Sequence, residues 1–265
     1  MKSLIRMDWH RAIRRSCVII MVAFLALAAF SGMFELYSYS RDYISTNEFE
    51  TIEMYNLEPE EELIRLRAVF KQVWAETMNA NGNIAGMFMA ILMGLYIGSD
   101  FTKGRIRESI AAGYSRTSIF WAKYAVLSVL CTVAFLVFGI VHFMNRPDVF
   151  AGYVEGGDFL FFLYYFVWAI PACLSLAAMA LSIAFLVRRP VPAALATLIV
   201  FTLRKKLVGM VVNMLTGGEA VELFKPFRTA EFWPHYDFAM LALNVALAVV
   251  FVVVALIVFK KKDVK

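Results

Sequence analysis

The chain has 265 residues, of which 61% are hydrophobic and only 18% charged, with a net charge of +5. Soluble domains sit nearer one half apolar and one quarter charged, so this composition excludes an ordinary soluble enzyme. The apolar residues fall in blocks of about 20, the length of helix that crosses a ~30 Å hydrocarbon core.

Residues 1–16 read as a helix lying on the membrane surface. Met1, Leu4, Ile5, Trp9, Ala12 and Ile13 share one face, while Lys2, Arg6, His10 and Arg14 take the other, with Arg11 and Arg15 at the flank. The apolar run behind this basic start lacks a small-residue cleavage site and belongs to a first span at 17–37 rather than to a signal peptide. Residues 38–82 form a polar stretch in which acids outnumber bases. Pro59 sits where a helix could start, and Leu63, Leu66, Phe70, Val73 and Trp74 recur on one face after it. This predicts an extracellular loop with an amphipathic helix over the mouth of a bundle.

A second span is expected at 83–99. Its Gly86, Ala90, Gly94 and Gly98 recur every four residues, a small-residue track that lets another helix approach closely. A basic amphipathic segment at 100–118 follows. Third and fourth spans are expected at 119–143 and 160–187, the latter with Pro171 as a kink point. The turn Arg188-Arg189-Pro190 leads into a fifth span at 191–214, and a sixth at 238–259 stops at Lys260-Lys261-Lys262. Arg204-Lys205-Lys206 arrives about 14 residues after that turn, roughly 21 Å along a helix. Two readings follow. Either the fifth span ends early and short re-entrant helices continue, or one long helix carries three cations. These cations would then snorkel to outer headgroups or line a cargo pathway.

Most of the 26 basic residues lie in the N-terminal helix, the 100–123 segment, the Arg188-Arg189 turn and the tail. The first two loops on the opposite side are net acidic. Positive charge in short loops marks the cytosolic face, which places both termini inside with six spans. The fold class expected is an all-α integral membrane protein, with an interfacial helix and six transmembrane helices in one domain. Cys17, Cys131 and Cys173 all lie in apolar stretches and read as buried small hydrophobes, with no near neighbours along the chain to form a metal cluster or a disulfide. His10, His142 and His235 are far apart. No phosphate-binding glycine loop of Walker type is present, so the chain is not expected to hydrolyse ATP by that route. His-Glu-x-x-His and Gly-x-Ser-x-Gly are absent as well.

Between the second and third spans, Asp100 is followed four residues later by Gly104. A short amphipathic helix, Gly113, Arg116 and Lys123 come next. Ile106, Ile110 and Tyr114 recur at four-residue steps beside a stripe of Lys103 and Arg107, so this helix has an apolar ridge and a cationic flank. The segment resembles the first cytoplasmic loop of the permease subunits of type 2 ATP-binding-cassette (ABC) transporters, with Asp100 where Glu is commoner and Arg105 where Thr is usual. The organisation of nearly the whole chain is similar to that family too.

The resemblance implies a bacterial plasma-membrane exporter subunit that is not itself an enzyme. Asp100, Lys103, Gly104, Arg107, Ile110, Gly113, Tyr114 and Arg116 would form the coupling helix that meets a separate ABC ATPase. ATP and Mg2+ would belong to that partner, and this chain would hold no cofactor or metal. It would work as a homodimer, or as a heterodimer with a related permease, in a lipid bilayer and without nucleic acid. Its cargo would be amphipathic or hydrophobic, such as a peptide toxin, bacteriocin, lipid or drug. A self-contained channel or secondary carrier is the rival class; it would want ionisable residues in mid-span or an inverted repeat. A smaller resemblance joins Glu60-Glu61-x-x-x-Arg65 and Phe138-x-x-x-His142 to the intramembrane CAAX proteases, whose carboxylates and histidines activate water. Here Glu60 and Glu61 lie in an acidic loop beside a helix start, where solvated surface acids are the simpler account.

Overall fold

The computed structural model describes residues 2–13, 85–144, 156–216 and 238–261. All of them except short turns are helical: α1 Lys2–Ile13, α2 Ala85–Thr102, α3 Arg105–Ala111, α4 Arg116–Met144, α5 Gly156–Val187, α6 Pro190–Thr216 and α7 Phe238–Lys261. Among the described residues, four helices are long and apolar enough to cross a membrane. These are α2 and the segments Arg116–Ile140, Ala169–Val187 and Asn244–Lys261. The apolar part of α6, Pro190–Leu203, is shorter. The first span and the acidic loop expected at 17–82 lie outside the described residues.

The α6 helix runs unbroken from Pro190 to Thr216 through Arg204, Lys205 and Lys206, so one long helix carries the three cations. For these three residues the structure describes the backbone alone.

Helix starts and stops follow local chemistry. Gly104, at φ 70°, ends α2 and begins α3: its N–H donates to the Phe101 carbonyl at 3.1 Å, and its own carbonyl accepts from the Glu108 N–H at 3.0 Å. Gly113, at φ 85°, closes α3, with its N–H on the Ile110 carbonyl and the Tyr114 N–H on the Ser109 carbonyl. That pair of bonds is the glycine-terminated helix stop of the Schellman type. Ser115 caps α4, its Oγ accepting from the Ser118 N–H at 3.2 Å.

One buried core joins the helices. At the end where α2, α5 and α7 stop and α4 starts, Phe185 is the hub of an aromatic knot. It stacks on Phe259 of α7 at 4.4 Å, meets Phe101 of α2 edge-on at 5.6 Å and lies 6.0 Å from Phe120 of α4. Further along, the Ser182 hydroxyl of α5 reaches the Phe251 carbonyl of α7 at 2.6 Å. Cys131 of α4 and Cys173 of α5 are both buried free thiols, and the fold brings them near one another although the sequence shows no nearby partner for either.

The small-residue track of α2 packs on α6. A Cβ placed on Gly94 would lie 2.6 Å from the Ala194 Cα, and one on Gly98 would lie 2.5 Å from the Pro190 Cα. Ala90 is fully buried in the same row, and a Cβ on Gly86 would meet only the tip of the Phe201 ring. Backbone cannot step aside as a ring can. Gly94→Ala should therefore cost about 1–3 kcal/mol through overpacking, and Gly86→Ala less. The melting temperatures of the detergent-solubilised variants check this order.

Candidate functional site

The feature with most chemistry is the end of the bundle carrying α1, α3 and the α5–α6 turn. Lys123 lies two turns into α4, where its ammonium is almost fully buried, with a side-chain exposure of 5%. It donates to Asp8 Oδ1 of α1 at 2.8 Å and to Asp100 Oδ2 of α2 at 2.7 Å, both of them buried carboxylates. The second oxygen of Asp100 accepts from Arg105 Nη1 of α3 at 3.2 Å. Two acids and two bases on four helices thus neutralise one another. The Tyr96 hydroxyl donates to the Asp8 carbonyl at 3.5 Å, and its ring lies 5.7 Å below the Lys123 ammonium. The other Asp8 oxygen, Oδ2, is buried with no hydrogen-bond partner.

The N-terminal helix is therefore docked on the bundle as well as amphipathic. Leu4 and Asp8, one turn apart, are its buried pair, Ile5, Met7 and Trp9 pack partly against the core, and Arg6 and His10 are exposed. The Ser3 hydroxyl also lies 3.2 Å from the Tyr114 hydroxyl, just past the end of α3.

The predicted coupling residues divide by orientation. Lys103, Arg107 and Gly113 are exposed. Asp100 is buried in the ion cluster, and Gly104 shapes the turn. Ile110 and Tyr114, expected among the residues that meet a partner, pack instead against the bundle core, and Ile106 on the same ridge is fully buried. A seven-residue helix needs that anchorage, since so short a helix does not hold its shape alone. What α3 and its flanking turns offer outward is Lys103, Arg107, Glu108, Ala111 and Ala112. Arg116 also turns inward, donating from Nη1 to the Phe259 and Lys260 carbonyls at 3.1 Å each, where a cation satisfies the open end of α7.

Arg204, Lys205 and Lys206 belong to α6 and are not brought to this end. For the protease-like set, Glu60 and Glu61 lie outside the described residues, and His142 is placed by backbone alone in α4. Among the described residues no group of three His, Cys, Asp or Glu side chains could hold a metal ion.

The sequence reading passed over Asp8 and the role of Ser115. Asp8 had a signal: it is the sole acid in the first 16 residues of a strongly basic helix, and it falls on the side that carries Leu4 and Ile5. The chain matches no protein-family model, no curated protein and no solved structure. Its function is therefore argued from its own residues.

Removing one partner from a buried ion group leaves an uncompensated charge. Lys123→Met should destabilise by about 3–5 kcal/mol. The triple variant Asp8→Asn, Lys123→Met, Asp100→Asn should recover much of that loss. Denaturant unfolding in detergent measures both; a single variant as stable as the unaltered chain would show that the cluster does not hold α1, α2 and α4 together.

Proposed function

We propose that this chain is the permease subunit of an ATP-driven exporter of the type 2 ABC class. It crosses a bacterial plasma membrane six times with both termini in the cytosol, and pairs with a second permease and with separate ATPase subunits. One observation carries the reading. A short helix, α3, is bracketed by two positive-φ glycines and pinned at its root by a buried ion cluster, and it turns Lys103 and Arg107 outward at the end that also bears Arg189, Lys260 and Lys261.

Such a part suits mechanical input. A helix held through Ile106, Ile110 and Tyr114 moves with the bundle rather than on its own. Its outward cations meet an acidic groove of a partner, which sets orientation and register. ATP and Mg2+ act on that partner, and its closure levers α2 and α4 through α3. The basic end is then the cytosolic end, by the excess of Lys and Arg there. Cargo of amphipathic or hydrophobic character fits the apolar helix surfaces, with Arg204, Lys205 and Lys206 as pathway candidates.

The rival reading, an ATP-independent carrier or channel, draws on the buried Asp8, Asp100 and Lys123, because ionisable groups at depth commonly mark ion pathways. Here each carboxylate is bonded to Lys123 and the cluster sits at one end of the helices, which favours a structural joint.

The double variant Lys103→Glu, Arg107→Glu separates these readings. Both side chains are exposed, so the melting temperature should stay within 1–2 °C (about 0.5 kcal/mol or less for surface changes). Co-purification with the partner ATPase should fall at least tenfold, and nucleotide-dependent transport should be lost. Cargo movement or ion conduction by the isolated chain in vesicles, without nucleotide, would sink the exporter assignment.

A further inference from the structure

A groove of about 300 Å³ opens on the outer surface of the bundle between α4, α5 and α7. Trp121, Tyr124, Pro171, Leu174, Val249 and Val253 line it. Its lining includes Ala248, a small and buried residue of α7, together with the proline of α5. Its wall is almost entirely apolar. The Tyr124 hydroxyl already donates to the Leu174 carbonyl at 3.4 Å.

We propose that this groove binds one acyl chain of an anionic phospholipid, from the leaflet at the basic end of the bundle. Shape is the first argument. On α7 the lining runs from Val245 to Val253, about 12 Å along the helix axis. A lipid tail lies in that direction, and one leaflet supplies about 15 Å of hydrocarbon. A compact solute would want a rounder, partly polar pocket.

Charge is the second argument. Lys260 and Lys261 are exposed at the end of α7, seven residues or roughly 10 Å beyond Val253, where the headgroup of a lipid seated in the groove would lie. The acids described in the ion cluster at this end, Asp8 and Asp100, are committed to Lys123 and Arg105. Arg116 satisfies the terminal carbonyls of α7, so the lysine ammoniums are not needed for that task. Trp121 sits at the headgroup side of the groove, where the amphipathic indole is at home. Two cations beside an apolar slot select an anionic amphiphile over a zwitterionic one.

The test needs no ATPase, so it stands apart from the exporter assignment. A variant retaining Trp121 alone, with Trp9, Trp74, Trp168 and Trp233 changed to Phe, is reconstituted with brominated phosphatidylglycerol or brominated phosphatidylcholine. Bromines in the groove quench Trp121 fluorescence. Phosphatidylglycerol should quench at about fivefold lower mole fraction than phosphatidylcholine, the ratio expected from one favourable lysine contact. Lys260→Gln with Lys261→Gln should erase the preference. Val249→Phe, a change at an outward-facing side chain that the fold tolerates, should weaken quenching by both lipids.

Native mass spectrometry of the unaltered chain provides a second measurement, with phosphatidylglycerol retained over phosphatidylcholine. Equal quenching by the two lipids, a preference that survives the lysine changes, or a Val249→Phe variant that quenches as before would overturn the proposal.

Discussion

Lys123 is the constraint on which the rest of this molecule depends. A buried ammonium is tolerated only when it is paired and hydrogen-bonded, and Lys123 is paired twice, across helices that are distant in sequence. Asp100 ends the helix before the elbow, Lys123 lies in the helix after it, and Asp8 brings the N-terminus to the same point. The pairing closes the elbow at its base. Because separating these charges in a low-dielectric setting costs several kcal/mol, α1, α2 and α4 stay together at this end while their opposite ends have no comparable tie among the described contacts.

Around that joint the same end is reinforced by contacts of other kinds. Phe185 gathers aromatic rings from three neighbouring helices, and Arg116 bonds the start of α4 to the end of α7. A load applied to α3 would reach most of the bundle as one body. The proposed role as the driven half of a two-part machine asks for that stiffness at the driven end, and the outward pair Lys103 and Arg107 supplies the place to push.

Much of this was legible in the chain. The apolar blocks pointed to an all-helical membrane protein, and Gly104 and Gly113 marked the turns on either side of α3 because only a residue without Cβ takes a positive φ freely. The four-residue recurrence of small side chains in α2 pointed to a close neighbour, though not to α6 in particular. What local patterns lack is the partner. Ile106, Ile110 and Tyr114 make the same ridge on paper whether they face inward or outward, and the core contributed by α1 and α4 decides it. Asp8 looked like an ordinary polar residue until Lys123, 115 positions later, arrived beside it. The cysteine pair is a similar case, two thiols from different helices whose meeting has no trace in spacing. The cationic stretch of α6 was ambiguous because charge and hydropathy disagreed there, and the backbone followed hydrogen bonding and stayed helical.

The α5–α6 junction limits how this bundle is able to deform. Arg188 adopts φ 61° and donates its N–H to the Ala184 carbonyl at 2.8 Å, which ends α5, while the Arg189 carbonyl accepts the first bond of α6 from Ala193 at 3.0 Å. Pro190 then occupies the first helical position, where a missing N–H costs nothing. Two residues span at most about 7 Å, and here they are bent back on themselves. Little slack is left for α6 to slip along α5 by a helical turn of about 5.4 Å. Any parting of the pair must be a scissor movement with its pivot at these arginines, widest at the opposite end of the two helices.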